Sequence, residues 1–111
     1  MQVSQNYLTL MIYTMQVRIH ELAAKEFNDA IEWYELQSIG LGKRFKLSVL
    51  EQVNKIKKNP KWYLIEDGNI YKSYIPKFPY KILYTIENKY IIIWAIAHLH
   101  RKSLYWQSRT T

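Results

Sequence analysis

The sequence predicts an α+β domain in which an N-terminal helical hairpin packs on one face of an antiparallel sheet, with elements in the order βααβββ and a short C-terminal segment. Three observations predict it. The chain has 111 residues, enough for one hydrophobic core and not two. Its apolar residues recur every three to four positions from Leu22 to Ile56 and every second position from Ile70 onward. Turn-forming groups, namely Gly40 and Gly42, Asn59-Pro60, Asp67-Gly68-Asn69 and Asn88-Lys89, fall between the periodic runs. With 49% apolar residues and only three Gly and three Pro, the composition excludes disordered and collagen-like chains.

Residues 1–15 stand outside this pattern and are read as an N-terminal extension, with the patterned domain spanning 16–111. Tyr7–Met15 is apolar but far shorter than the roughly 18–20 residues that span a bilayer, and so is Tyr90–Ala97. Met1–Asn6 carries no positive charge and no small-residue cleavage site follows, so the stretch is not expected to be a signal peptide. Met11 and Met15 are alternative starts to Met1.

Val17–His20 is a short β-type run. Ala23, Phe27, Ala30, Ile31 and Tyr34 then define one face of a helix, and Glu21, Glu26, Asp29, Glu32 and Glu35 are expected on its acidic outer surface. After the two glycines, Phe45, Val49, Leu50, Val53 and Ile56 define a second helix, which Asn59-Pro60 stops because Pro cannot continue it. A short connection predicts an antiparallel hairpin. Ile70–Ile75 reads as a strand. Tyr80–Glu87 alternates Tyr80, Ile82, Tyr84 and Ile86 with Lys81, Leu83, Thr85 and Glu87. Tyr90–Ala97 is almost continuously apolar and β-branched, the signature of a strand buried on both faces.

Charge is placed unevenly along the chain. The formal net charge is +7, of which residues 1–68 contribute +1 and residues 69–111 contribute +6. Lys72, Lys77, Lys81, Lys89, Arg101, Lys102 and Arg109 stand there against Glu87 alone. A one-sign field over a small surface attracts polyanions or an acidic protein partner. The absence of cysteine removes disulfides and thiolate chemistry, and is compatible with the cytoplasm.

Several ordered groups of residues carry a resemblance. They are Phe27-x-x-Ala30-x-x-Trp33-Tyr34, Gly40-Leu41-Gly42-x-x-Phe45, Ile56-x-x-Asn59-Pro60 and Phe78-Pro79-Tyr80-x-Ile82-x-Tyr84. The last is Ala95-Ile96-Ala97-His98-x-x-Arg101-x-x-x-Tyr105-Trp106-x-x-Arg109. In this order and spacing the chain resembles toxins of the RelE/ParE superfamily over roughly residues 16–109, closest to the ParE-like plasmid-stabilisation branch. The resemblance implies a cytoplasmic toxin of a type II toxin–antitoxin system that inhibits growth. It also implies a cognate antitoxin whose acidic C-terminal segment wraps the toxin in a hetero-oligomer. ParE-like members poison DNA gyrase, and RelE-like members cleave mRNA on the ribosome.

RNA cleavage without a metal needs a base for the 2′-hydroxyl, an acid for the departing 5′ oxygen and cations for the phosphate. The candidates are His98 and His100, which titrate near neutrality, Tyr105 as proton donor or stacking platform, and Arg101 for phosphate. If strand geometry continues, Trp94, Ile96, His98 and His100 share one face. Lys72, Lys77, Lys81, Lys102 and Arg109 join Arg101 as residues that bind nucleic acid or another target. The resemblance places Arg101 at the family's basic position after the last strand. Lys72 replaces an arginine usual in the nucleases, which weakens phosphate clamping. Tyr105-Trp106 can equally fold back onto the sheet. No cofactor is expected, and no Cys or cluster of carboxylates accompanies the histidines to hold a metal.

These features leave a choice between a gyrase poison and a ribosome-dependent mRNA endonuclease, with the ParE-like spacing around Phe78-Pro79-Tyr80 favouring the first. A non-toxic basic RNA-binding module, or a degenerate toxin, is the reading from a different class.

Overall fold

The structure is a computed structural model that describes residues 15–110. Residues 1–14 of the extension, with two of the alternative starts, Met1 and Met11, lie outside the described residues. The third, Met15, packs partly buried against the core.

The elements are β1 (Gln16–Ile19), α1 (Glu21–Gln37), α2 (Leu41–Lys58), β2 (Leu64–Asp67), β3 (Ile70–Tyr74), β4 (Tyr80–Glu87), β5 (Tyr90–His98) and a final 3₁₀ turn (Gln107–Thr110). The architecture is the α+β arrangement that the periodicity predicts, with one strand more. Leu64–Asp67 pairs antiparallel with β3, so the Asp67-Gly68-Asn69 turn joins two strands instead of opening the first. The five strands lie in the order β1-β5-β4-β3-β2, antiparallel except where β1 runs parallel to β5. Asn88 takes φ 55, which the tight β4–β5 hairpin requires. Among the described residues no helix is long and apolar enough to cross a membrane.

Each helix boundary has a local cause. His20 is the cap of α1, its Nδ1 accepting from the Leu22 N–H at 3.1 Å. Between the helices, Gly40 holds φ 88. The Glu35 carboxylate accepts from the backbone N–H of Gly40 at 2.9 Å and of Gly42 at 3.1 Å. A Cβ on Gly42 would lie 2.5 Å from the Ile31 carbonyl oxygen, so the two helices approach this closely only at a glycine.

The hairpin lies on one sheet face. There Ala23, Ala30, Tyr34, Phe45, Val49 and Ile56 meet Ile82, Tyr84, Ile91, Ile93 and Ile96 in the main core. Rings of Tyr34, Phe45, Phe78 and Tyr80 meet at centroid distances between 5.0 and 6.1 Å, mostly edge to face, which suits the aromatic quadrupole. Two polar links cross this interface: Gln52 Nε2 donates to Ser73 Oγ at 2.6 Å, and the Tyr84 hydroxyl donates to the Pro60 carbonyl at 2.6 Å. Leu50, placed on the buried face by its spacing, is 42% exposed instead, and Gln52 takes the inward position because Ser73 offers it a partner.

The predicted face of β5 also changes part-way along the strand. Leu83 pairs with Ala95 and Tyr84 with Ile93, which leaves Trp94 as an extra residue in a β-bulge. Ile91 and Ile93 face the helices before the bulge and Ile96 does so after it. Trp94, Ala95 and Ala97 join the opposite cluster. Trp94 and Ile96 therefore do not share a face, contrary to simple alternation. On that opposite face the chain after β5 returns across the sheet, and Trp106, 2% exposed, packs with Ile70, Leu83, Ala95 and Ala97.

Candidate functional site

β1 is too short to cover the whole of β5. Their ladder ends where the His20 N–H donates to the Ile93 carbonyl at 2.8 Å, and beyond it the edge of β5 needs other partners. Glu26 and Arg109 supply them. The Ile96 N–H donates to Glu26 Oε1 at 3.1 Å, and Arg109 Nη1 donates to the Trp94 carbonyl at 3.0 Å. Arg109 also grips Glu26 with both arms, Nη1 to Oε1 at 2.9 Å and Nη2 to Oε2 at 3.0 Å. The Tyr105 hydroxyl donates to Oε2 at 2.6 Å, and Arg101 Nη1 stands 4.0 Å from that oxygen. One carboxylate thus fastens α1, the edge of β5 and the C-terminal segment together.

Glu26 was expected on the solvated face of α1, but its side chain is only 16% exposed. The sequence carried a signal for this. Position 26 follows Ala23 by three and precedes Ala30 by four, so the acid sits inside the apolar stripe. An acid in that stripe needs a buried cation, and Arg109, whose side chain is 9% exposed, is that cation. Their separation of 83 positions hid the pairing.

The residues singled out for chemistry meet different fates. The Tyr105 hydroxyl is half-buried, and its pKa is pushed up by burial first, then by its hydrogen bond to Glu26 and that carboxylate's charge, against Arg109 and Arg101. It holds its proton and gives the hydrogen bond inward. Arg101 lies over the Tyr105 ring with its guanidinium carbon 3.9 Å from the centroid, and its side chain is 53% exposed. Stacking orients it while the charge stays available. His98 pairs across from Tyr80, shares the helix-facing side with Ile96 and meets the Tyr80 ring edge-on at 5.1 Å. Its Nδ1 accepts from the His100 N–H at 3.1 Å, closing the turn after β5. The His100 ring is 5.1 Å from that of His98. Among the described residues no group of three His, Cys, Asp or Glu side chains is placed to hold a metal ion.

The lysines divide as well. Lys81 Nζ lies 2.8 Å from Glu66 Oε1 and Lys72 Nζ 3.7 Å from the same oxygen, so one acid from β2 serves two cations of the sheet. Lys77 is exposed in the β3–β4 loop with φ 69, and Lys102 is exposed beside Arg101. A cleft of about 160 Å³ opens between the sheet and the returning segment, lined by Glu66, Lys81, His98, Arg101, Lys102 and Trp106 among others. Leu104 makes the return possible by taking φ 61, a left-handed conformation that costs a non-glycine residue about 1 kcal/mol. Nothing in the sequence marks it.

The sequence model of the ParE toxin of type II toxin–antitoxin systems, parDE, matches residues 17–103. The chain belongs to the ParE toxin family. Among solved structures, a chain described as the chromosomal ParDE TA system from P. aeruginosa aligns with a TM-score of 0.64 and 19% identity. The alignment covers 78% of this chain and 97% of the other, and at that identity it speaks for the fold. No curated protein sequence matches. In this ParE-family chain the matched span includes Glu26, Glu66, His98, Arg101 and Lys102. Tyr105, Trp106 and Arg109, which fasten the C-terminal segment, lie beyond it.

Proposed function

We propose that this ParE-family toxin inhibits growth by binding and poisoning DNA gyrase, without covalent chemistry of its own. A cognate antitoxin with an acidic C-terminal segment neutralises it in a hetero-oligomer. The observation that carries this reading is the internal engagement of the groups that RNA cleavage would need. The Tyr105 hydroxyl is given to Glu26, Arg109 is spent on the same carboxylate, and His98 Nδ1 is occupied by the backbone of its own turn. The proton of the Tyr105 hydroxyl is directed to Glu26 and away from any substrate, so the acid of the three groups is not free to act. What stays presented is a binding surface, with Arg101 and Lys102 at its centre and Lys77 at the β3–β4 loop, while Lys72, Lys81 and Arg109 support it from within.

The second reading, ribosome-dependent mRNA cleavage, draws on one observation: His98 and Arg101 line the same cleft. Induced expression without antitoxin separates the two. Gyrase poisoning produces a DNA-damage response and filamentation with intact mRNA. Codon-linked mRNA cleavage within minutes would replace the gyrase reading with the ribosomal one, and unimpaired growth would remove both.

A further inference from the structure

We propose that the cleft between the sheet and the C-terminal segment is a phosphate site, through which the toxin holds the DNA backbone while it acts on gyrase. This rests on the gyrase reading and adds a ligand to it. The cations of the sheet half are not equivalent. Glu66 pairs closely with Lys81 and more loosely with Lys72, and Glu26 pairs with Arg109. Arg101 and Lys102 are adjacent and exposed, and both line the same cleft together with Lys81. Arg101 is already oriented by the Tyr105 ring at 3.9 Å, so it loses little side-chain freedom on meeting a ligand. Among the residues that line the cleft, Glu66 stands against Lys81, Arg101 and Lys102, which leaves an excess of positive charge at the opening.

A phosphodiester fits these features. Its two free oxygens match a guanidinium fork, and a neighbouring ammonium adds a point charge. About 160 Å³ admits a phosphate group with bridging water, while nothing among the residues named offers the pair of open aromatic faces that would stack bases. The geometry therefore points to backbone gripping without sequence preference.

The test is fluorescence anisotropy of antitoxin-free toxin with a labelled duplex DNA, run beside Lys102→Glu, Arg101→Gln and Lys89→Glu. Lys89 is exposed at the β4–β5 turn, outside the cleft lining, and makes the same charge change as Lys102→Glu. At about 50 mM salt the two cleft variants should bind roughly tenfold or more weakly, Lys89→Glu should bind within about twofold of wild type, and Arg101→Gln should flatten the salt slope by about one phosphate contact. Equal losses in Lys102→Glu and Lys89→Glu, or no binding by wild type at that salt, overturn the site. Tighter binding of single-stranded RNA of the same sequence assigns the phosphate to RNA and overturns the DNA form. A gyrase cleavage assay separates the two ideas. If wild type traps cleaved DNA and Lys102→Glu traps it equally well, the phosphate site fails while the gyrase reading stands. If wild type traps none, the gyrase reading fails, and the proposal that rests on it fails too, whatever the anisotropy shows.

Discussion

Replacing Glu26 with Ala removes the common acceptor of α1, β5 and the C-terminal segment. It strands the Arg109 guanidinium at 9% exposure and unpairs the Ile96 N–H and the Tyr105 hydroxyl. Breaking a buried ion pair by deleting one partner costs about 3–5 kcal/mol. Since Glu26 keeps 16% of its exposure, the lower end, about 3 kcal/mol, is the working figure. In a domain of this size each kcal/mol moves the Tm by roughly 4 °C, so a fall of about 12 °C is expected. Arg109→Ala should cost less, about 1–2 kcal/mol, because the carboxylate retains Ile96, Tyr105 and the nearby Arg101. The double variant should be less destabilised than the sum of the singles, with a coupling of about 1 kcal/mol or more. Thermal and urea unfolding, followed by circular dichroism and tryptophan fluorescence, measure all three. A Glu26→Ala variant within about 1 kcal/mol of wild type, or costs that simply add, would refute the reasoning that this one carboxylate secures the segment.

Arg101→Ala should abolish toxicity while the Tm stays within about 2 °C, since the side chain is 53% exposed and only 4.0 Å from Glu26; surviving toxicity in a growth assay would move the working surface elsewhere. Gly42→Ala should cost about 2 kcal/mol or more, because its Cβ would press on the Ile31 carbonyl and push the helices apart; an unchanged urea midpoint would contradict that close approach. Burial raises the pKa of Tyr34, Tyr80, Tyr84 and Tyr105. In the unfolded chain these phenols lose their protons near pH 10. Above that pH the unfolded state binds fewer protons than the folded one, so stability should fall as pH rises. Phenolate absorbance should then rise in a cooperative step with the loss of circular dichroism, and smooth titration of every tyrosine in a folded protein would contradict the burial.

The sequence by itself determined the hairpin, the sheet and the family pattern. Apolar residues at helical spacing must be buried on one side, alternating ones on one sheet face, and Pro60 and the two glycines of the hairpin leave the backbone few alternatives. It determined that residues 69–111 carry the excess positive charge. It did not determine where that charge remains available. Lys72, Lys81 and Arg109 look like Arg101 and Lys102 in a count, yet Glu66 and Glu26, both from the nearly neutral half, occupy the first three. The bulge at Trp94 likewise decided which residues of β5 share a face, and Leu104 turned Tyr105 and Trp106 back onto the sheet. Each of these is a pairing between distant parts of the chain or a local departure from regular backbone. Hydrophobic periodicity reports only which side of an element is buried, so the partners of the buried charges exist as information only once the chain has folded.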